Sequence, residues 1–430
     1  MFERMRNSLT ALVVLVLTAG TLGAQTDGTT GGFSPYSVFG LGQLHQSGTT
    51  WNRGMGGVGI AARNHRFINI LNPASMTARD SLSFMADMGL NGRISLFKEG
   101  DKKGFNTVFN IDDIAISFPM WRNTAFMVGL TPMSDVGYNI TYREMDVYTQ
   151  QRTYTSVGKG GTYQIFAAAA ATFWNRLSVG AQFNYTFGNV AKTTGITFGD
   201  ETYRSVVVGD SLQVHSFSGK FGLQYEQPIA VGSYITVGAT YQLSSAMRGH
   251  TVHYRELGSY DKVADVKDLN SEGLRMGDEL GVGVSYRKGD SFLAEIDYTR
   301  TNWSNSKIDQ VKGFSNVGDV VFAPSVGQSV RAGVEFTPNR NDIRYFLRRC
   351  TYRVGAYYDQ SYYTVDGAHV NSLGVTLGMT LPVFRWYNGL SVGFEFGRRG
   401  LATSQVKENY FGFNLGFNIF DIWFQKRAYQ

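Results

Sequence analysis

The stretch "YFGFNLGFNIF", residues 410–420, decides the fold. Phe411, Phe413, Leu415, Phe417 and Ile419 fall on one parity, and Tyr410, Gly412, Asn414, Gly416 and Asn418 on the other. Side chains alternate across a strand, so this segment has one apolar face and one small or polar face. The pattern returns in "NGLSVGFEFG" (388–397), "NSLGVTLGMTL" (371–381) and "RLSVGAQFNYTFG" (176–188).

A water-soluble sandwich also alternates, but two features favour a membrane. The alternating runs reach ten residues or more, enough for a tilted crossing of the bilayer. The polar parity is rich in glycine and carries Glu295, Asp297, Arg331, Glu335 and Glu395, which suits a lumen. The apolar parity then faces lipid, and backbone groups in lipid must be satisfied within the sheet, so the sheet closes. The expected fold is all-β: a transmembrane antiparallel β-barrel of about 14 strands. The expected spans are 82–97, 109–119, 124–143, 161–174, 176–188, 212–226, 233–256, 275–288, 291–304, 326–337, 350–363, 368–381, 389–399 and 410–424. Short connections follow strands two, four, six and eight. Long ones follow three, five, seven and nine, near 144–160, 189–211, 257–274 and 305–325. Short periplasmic turns alternating with long outer loops are expected of such a barrel.

The chain ends and composition agree with export. Arg4 and Arg6 precede a short apolar run, Leu9 to Leu17, and Leu22-Gly23-Ala24 ends in small residues. This reads as a signal peptide over 1–24, cleaved near Ala24. The run is too short to cross a bilayer as a helix, and no later segment is long and apolar enough. Glycine is abundant (51 residues), aromatics reach 14% and charges only 17%, so a Tyr-, Phe- and Gly-rich exported β-protein is indicated. The lone Cys350 excludes an internal disulfide. The net charge of +6 is thinly spread and indicates no nucleic acid; basic groups such as Lys102 and Lys103 suit lipid phosphates. The reading is an integral outer-membrane protein, monomer favoured, with outer-membrane lipids as partners and no cofactor.

Residues 25–80 precede the barrel (81–430) and lack period-two alternation. Gly54-x-Gly56-x-x-Gly59 fits the spacing of a dinucleotide loop, with Asp80 about twenty residues after Gly59. That reading needs a preceding strand and a following helix; "QSGTTWNR" is no buried strand, and Pro73 limits a helix. The segment "NHRFINILNPASM" instead carries Phe67, Ile68, Ile70 and Leu71, which call for burial, so 25–80 is expected to plug the lumen. With Gly54, Gly56, Gly57 and Gly59 leading into Asn72-Pro73-Ala74 just before the first strand, this stretch resembles the N-terminal hatch of the FadL family of outer-membrane transporters, which also have fourteen strands.

The resemblance implies uptake of hydrophobic small molecules, long-chain fatty acids or aromatic hydrocarbons. Such ligands bind above the hatch and leave sideways into the bilayer through a kink in the third strand. Here that strand contains Pro132, Ser134, Asp135 and Gly137, poor ladder-formers that could interrupt it. A β-bulge at the barrel rim is the plain alternative. No ligand-binding basic residue carries over from the family. A second reading is a barrel of this fold serving as a shuttle or partner-binding component for a secretion system or surface protein. A third, an outer-membrane lipase or protease, lacks support: no histidine among His45, His65, His215, His250, His253 and His369 pairs by spacing with a catalytic partner. His250-x-x-His253 reads as a solvated surface pair rather than a metal site.

Overall fold

The computed structural model describes residues 32–422, apart from short segments at 80–82, 122, 146–150, 200–202, 258–260, 270–272, 312, 315–319, 385–387 and 403–405. The signal-peptide reading, the first residues of the mature chain and Asp80 therefore lie outside the described residues.

Fourteen long antiparallel strands form the wall. They are β1 (Ser83–Glu99), β2 (Lys102–Pro119), β3 (Thr124–Met145), β4 (Gln151–Phe173), β5 (Leu177–Phe198), β6 (Val206–Ala230) and β7 (Ser233–Gln242). They continue as β8 (Asp278–Lys288), β9 (Phe292–Asn302), β10 (Val326–Phe336), β11 (Thr351–Val365), β12 (Ala368–Phe384), β13 (Asn388–Arg399) and β14 (Lys407–Ile422). Each pairs with its neighbour in sequence. β1 also pairs with β14, from Ser83↔Ile422 to Lys98↔Lys407, which closes the ring. No described helix is long and apolar enough to cross a membrane.

The alternation sets the register. In β14, Gly412, Asn414, Gly416 and Asn418 are buried while Phe417 and Ile419 are exposed. In β5, Ser178, Gly180, Gln182 and Asn184 are buried opposite exposed Val179 and Phe183. The outer surface thus carries a continuous band of exposed apolar side chains, among them Phe217, Val284, Ile296, Val354 and Phe394. A band of this extent would be an aggregation liability in water and is the lipid-facing surface of a membrane barrel. Trp121, Phe173 and Trp174 stand exposed at two of the tight turns, as interfacial aromatics do.

One end of the ring has tight turns at 120–123, 174–176, 231–232 and 289–291. At the other end the expected long loops are largely strand. Within 144–160, β3 and β4 remain paired up to Met145↔Gln151. The stretch 189–211 is mostly the outer halves of β5 and β6, paired to Ile196↔Val206. Residues 257–274 hold a further strand, Asp261–Asp268, which pairs with Arg248–Leu257; that strand in turn lies on β6. The run expected at 233–256 is therefore broken after Gln242. Beyond the bilayer a strand no longer needs an apolar face, so Thr, Val and Tyr extend it without the period-two signature. Within 305–325 the described residues hold a 3₁₀ turn at Ile308–Gln310 and a short strand, Phe322–Pro324. The connection between β11 and β12 is Asp366-Gly367, both with positive φ, the two-residue hairpin such a dipeptide favours.

Candidate functional site

The segment before β1 is built from short pieces. A 3₁₀ turn spans Pro35–Val38, a one-turn helix Thr50–Arg53, and a second 3₁₀ turn Pro73–Ala78. Trp51, Met55, Val58, Ala61 and Ala62 are fully buried, and Trp51 stacks on Phe67 with ring centroids 5.9 Å apart. The segment meets inward-facing positions right round the ring. Met55 lies against Gly333 and Gly355, Gly54 against Gly378, Thr50 against Gly416, Pro73 against Gly180 and Ile60 against Gly238.

The glycine run does hold acidic groups, but they are the barrel's own carboxyls. The Gly59 and Ile60 N–H groups donate to Asp297 Oδ2 at 2.7 and 3.0 Å. The Ala61 and Ala62 N–H groups donate to Glu295 Oε1 at 2.6 and 2.9 Å. Glu335 accepts from Trp51 Nε1 and from Arg353 Nε, each at 2.7 Å. Arg331 Nη1 donates to the Gly56 carbonyl at 3.0 Å. Gly56 and Gly57 have positive φ, and a side chain on Gly56 would sit 2.9 Å from the carbonyls of Ala332 and Ala356. Only glycine meets both conditions without strain.

Asn72-Pro73-Ala74 closes the segment. Asn72 Oδ1 accepts from the Ala74 N–H at 3.0 Å, capping the 3₁₀ turn that Pro73 begins. Its Nδ2 donates to the Ile60 carbonyl at 2.7 Å and to Leu223 of β6 at 3.2 Å. One side chain thus joins the glycine run, the turn and the wall.

Among the described residues the wall has a seam between β2 and β3. β2 and β3 pair only from Pro119↔Ala125 to Ile114↔Leu130. Beyond that point β2 keeps β1 as its partner and β3 keeps β4. The register of β3 with β4 shifts between Pro132 and Ser134. The freed edge of β3 is taken by the N-terminal segment. Gln43 pairs with Asp135 and Leu44 with Ser134. The His45 N–H donates to Met133 O at 2.8 Å, and the Ser34 N–H to Gly137 O at 2.9 Å. Pro132, Ser134, Asp135 and Gly137 all lie at this interruption.

The seam borders a chamber of ≈ 290 Å³. Val108 and Asn110 of β2 line it on one side of the seam, Asp135 and Gln43 on the other. Its arginines are already engaged. Arg331 pairs with Asp359 at 2.8 Å, Arg399 with Glu408 at 3.1 Å, Arg93 with Glu395 at 3.9 Å and Arg53 with Asp112 at 2.5 Å. An apolar core that includes Phe39, Leu41, Trp303, Phe314 and Phe322 adjoins the chamber and shares Tyr36, Tyr362, Tyr363 and Val370 with its lining. Phe39 stacks on Phe322, and Lys192 Nζ donates to the Val38 carbonyl at 2.5 Å. Spacing along the chain also misses one histidine pair. Strand register sets His253 opposite Asp210, with Nδ1 and Oδ1 2.7 Å apart. Among the described residues no cluster of His, Cys, Asp and Glu has the makings of a metal site.

A closed fourteen-strand ring with a lipid-facing band and a buried N-terminal segment defines an outer-membrane β-barrel of FadL-like architecture. The BamG family model matches residues 5–430, and the chain belongs to the BamG family. Among solved structures, the toluene transporter TodX of Pseudomonas putida matches with a TM-score of 0.56 at 14% identity, over 90% of this chain and 100% of that one. The CymD monoaromatic hydrocarbon channel matches with a TM-score of 0.53 at 14% identity, over 88% and 98%. A FadL homologue of Pseudomonas aeruginosa matches with a TM-score of 0.52 at 11% identity, over 88% and 99%. At such identities the likeness is one of fold. No curated protein matches the sequence.

Proposed function

We propose that the protein carries small hydrophobic molecules across the outer membrane, with residues 25–80 as hatch and the gap between β2 and β3 as a lateral gate. The observation that carries this reading is the seam: β2 and β3 part above Ile114 and Leu130, beside a chamber lined from both strands. An apolar ligand gains about 25 cal/mol for each Å² it removes from water, and a side exit into lipid keeps that gain. TodX and CymD, of the same fold, are described as a toluene transporter and a monoaromatic hydrocarbon channel. The paired arginines leave a fatty-acid carboxylate little to bind, and the chamber lies near the lower end of the usual range of about 300–1,000 Å³ for ligand pockets. Both favour a small neutral ligand such as a monoaromatic over a long-chain fatty acid.

The test is binding and vesicle-uptake measurement with toluene and with a long-chain fatty acid, on the native protein and on Val108→Trp, which fills the seam. Saturable toluene uptake, at least tenfold slower in Val108→Trp, is expected. Absence of binding to either ligand would refute the transport reading.

A second reading, a partner-binding barrel for exported proteins, has its own observation. The end where ligand would enter is filled by the chain's own apolar core, and the outer halves of β3 to β6, with Arg248–Leu257 and Asp261–Asp268, form a sheet beyond it. A stable partner co-purifying with the barrel, and lost when Arg248–Leu257 and Asp261–Asp268 are removed, would favour this reading.

A further inference from the structure

The connection between β10 and β11, "PNRNDIRYFLRRC" (338–350), is much longer than the tight turns beside it. It lies at their end of the ring: the Thr337 N–H donates to Ser291 O at 2.8 Å, and Arg340 pairs with Asp290 at 3.6 Å. It carries Arg340, Arg344, Arg348 and Arg349 against a single acid, Asp342. It also leaves apolar groups uncovered. Ile343 is 91% exposed and Leu347 64%, with Tyr345 exposed between them.

The connection ends in a one-turn helix, Phe346–Arg349, that leans on the outward side of the wall. Tyr352, Val354 and Tyr358 form the exposed, lipid-facing parity of β11. Tyr352 Oη donates to the Leu347 carbonyl at 3.0 Å. Cys350 falls on that same parity just before β11, yet it is fully buried, and its Sγ donates to the Phe346 carbonyl at 3.6 Å. The helix therefore covers the foot of the outward face. On β10, exposed Val334 and Phe336 bring the apolar band down to the same level. The guanidiniums are held against rings. Arg344 and Arg348 lie 5.4 and 4.9 Å from the Tyr345 centroid, and Arg349 lies 5.3 Å from that of Phe346. Arg348 has Asp342 at 3.4 Å; among the described residues Arg344 and Arg349 have no ion-pair partner.

We infer that this connection is an interfacial anchor that binds anionic phospholipid in the periplasmic leaflet. Ile343 and Leu347 enter the boundary between headgroups and acyl chains, as the apolar side of an interfacial segment does. The arginines keep their stems along the rings and present their charged ends to lipid phosphates, which a guanidinium can grip with two parallel bonds. An anionic surface adds attraction for every basic group within a Debye length. A basic surface with apolar knobs could also take a periplasmic protein. Lipid is favoured because the exposed residues continue the lipid-facing band, and Tyr352 of that band holds the helix in place. The site stands apart from the chamber and does not depend on what the chamber carries.

The experiment is lipid retention by the purified full-length protein, titrated in detergent with phosphatidylglycerol or phosphatidylcholine and read by native mass spectrometry. Preferential retention of phosphatidylglycerol is expected, with the preference falling as salt is raised. Arg344→Gln combined with Arg348→Gln alters two exposed side chains. The pair is expected to weaken phosphatidylglycerol retention about tenfold and leave phosphatidylcholine unchanged. Leu347→Ser is expected to lower phosphatidylglycerol retention as well, and keeps the test open if the double variant does not fold. Equal retention of the two lipids, or phosphatidylglycerol retention unchanged in both variants, would overturn the assignment. So would displacement of the lipid by soluble glycerol phosphate, which would reduce the site to one for free phosphate. A photo-reactive side chain at Ile343 that captures protein and no lipid in cells would assign the surface to a periplasmic partner instead.

Discussion

Gly56 and Asn72 show how far single residues could be read. The glycine spacing was legible and so was its false lead, because Pro73 and the lack of a preceding strand argued against a nucleotide loop. What the run binds was not legible: Glu295 and Asp297 lie more than two hundred residues downstream and come near only through barrel closure. Gly56→Val combines an unfavourable φ with a clash against two carbonyls. It is expected to cost about 2 kcal/mol or more, read as a lower unfolding temperature in detergent. Asn72→Leu leaves the Ala74 N–H without its cap, while the Ile60 carbonyl keeps its bond from Gln224 Nε2 at 2.9 Å. Its expected cost is about 1–3 kcal/mol for each group left unsatisfied, by the same measurement. In the connection between β10 and β11, Asp342 accepts from the Tyr345 and Arg344 N–H groups and pairs with Arg348. The Tyr345 N–H contributes most to holding its carboxyl below the ordinary value. A depressed acid stabilises the fold above its unfolded pKa and loses that contribution as pH falls through its folded one. Asp342→Asn should therefore make this connection more protease-sensitive at neutral pH and make no difference in strong acid.

The strands were the most legible elements, and the reason for the misses is consistent. Period-two alternation marks a strand only where one face meets lipid and the other a packed interior. β5 alternates clearly from Leu177 to Tyr185 and then continues as "TFGNVAKTTGITF", where the inner face mixes buried Val190 and Lys192 and the parity signal fades. The expected loop at 189–211 was thus a ladder. The seam was half legible. Pro132 and its neighbours pointed to an interruption in β3, yet the edge that Gln43 and Leu44 occupy could not be read, because a two-residue strand has no period. Because Arg248–Leu257 pairs only with the outer half of β6 and with Asp261–Asp268, removal of residues 249–267 should leave the barrel folded. Retained heat-modifiable migration on a gel would show it; loss of that migration would mean the outer sheet supports the wall.

For the whole molecule, the wall and its internal segment share one polar network, so they stand or fall together. Glu295 and Asp297 satisfy four successive N–H groups of the segment. The double variant Glu295→Ala with Asp297→Ala should loosen the segment without opening the ring, since the β8–β9 and β9–β10 ladders do not use these side chains. Planar-bilayer recording is expected to show steps of ion conductance that the native protein lacks. A silent variant would mean that the remaining contacts, such as Trp51 with Glu335, hold the segment alone.

The closing ladder between β1 and β14 carries a consequence for the order of events in biogenesis. It joins Ser83 to Ile422, so the circle is completed by β14, around a segment that precedes β1 in the chain. Among the described residues the strands pair with their neighbours all round that segment, with the pairing of β2 and β3 cut short at the seam. The N-terminal piece must therefore already be seated, with its N–H groups turned toward Asp297 and Glu295, when the final strand zips into place. Supplying residues 25–80 as a separate peptide to a ring already shut should fail, whereas supplying it during refolding should succeed.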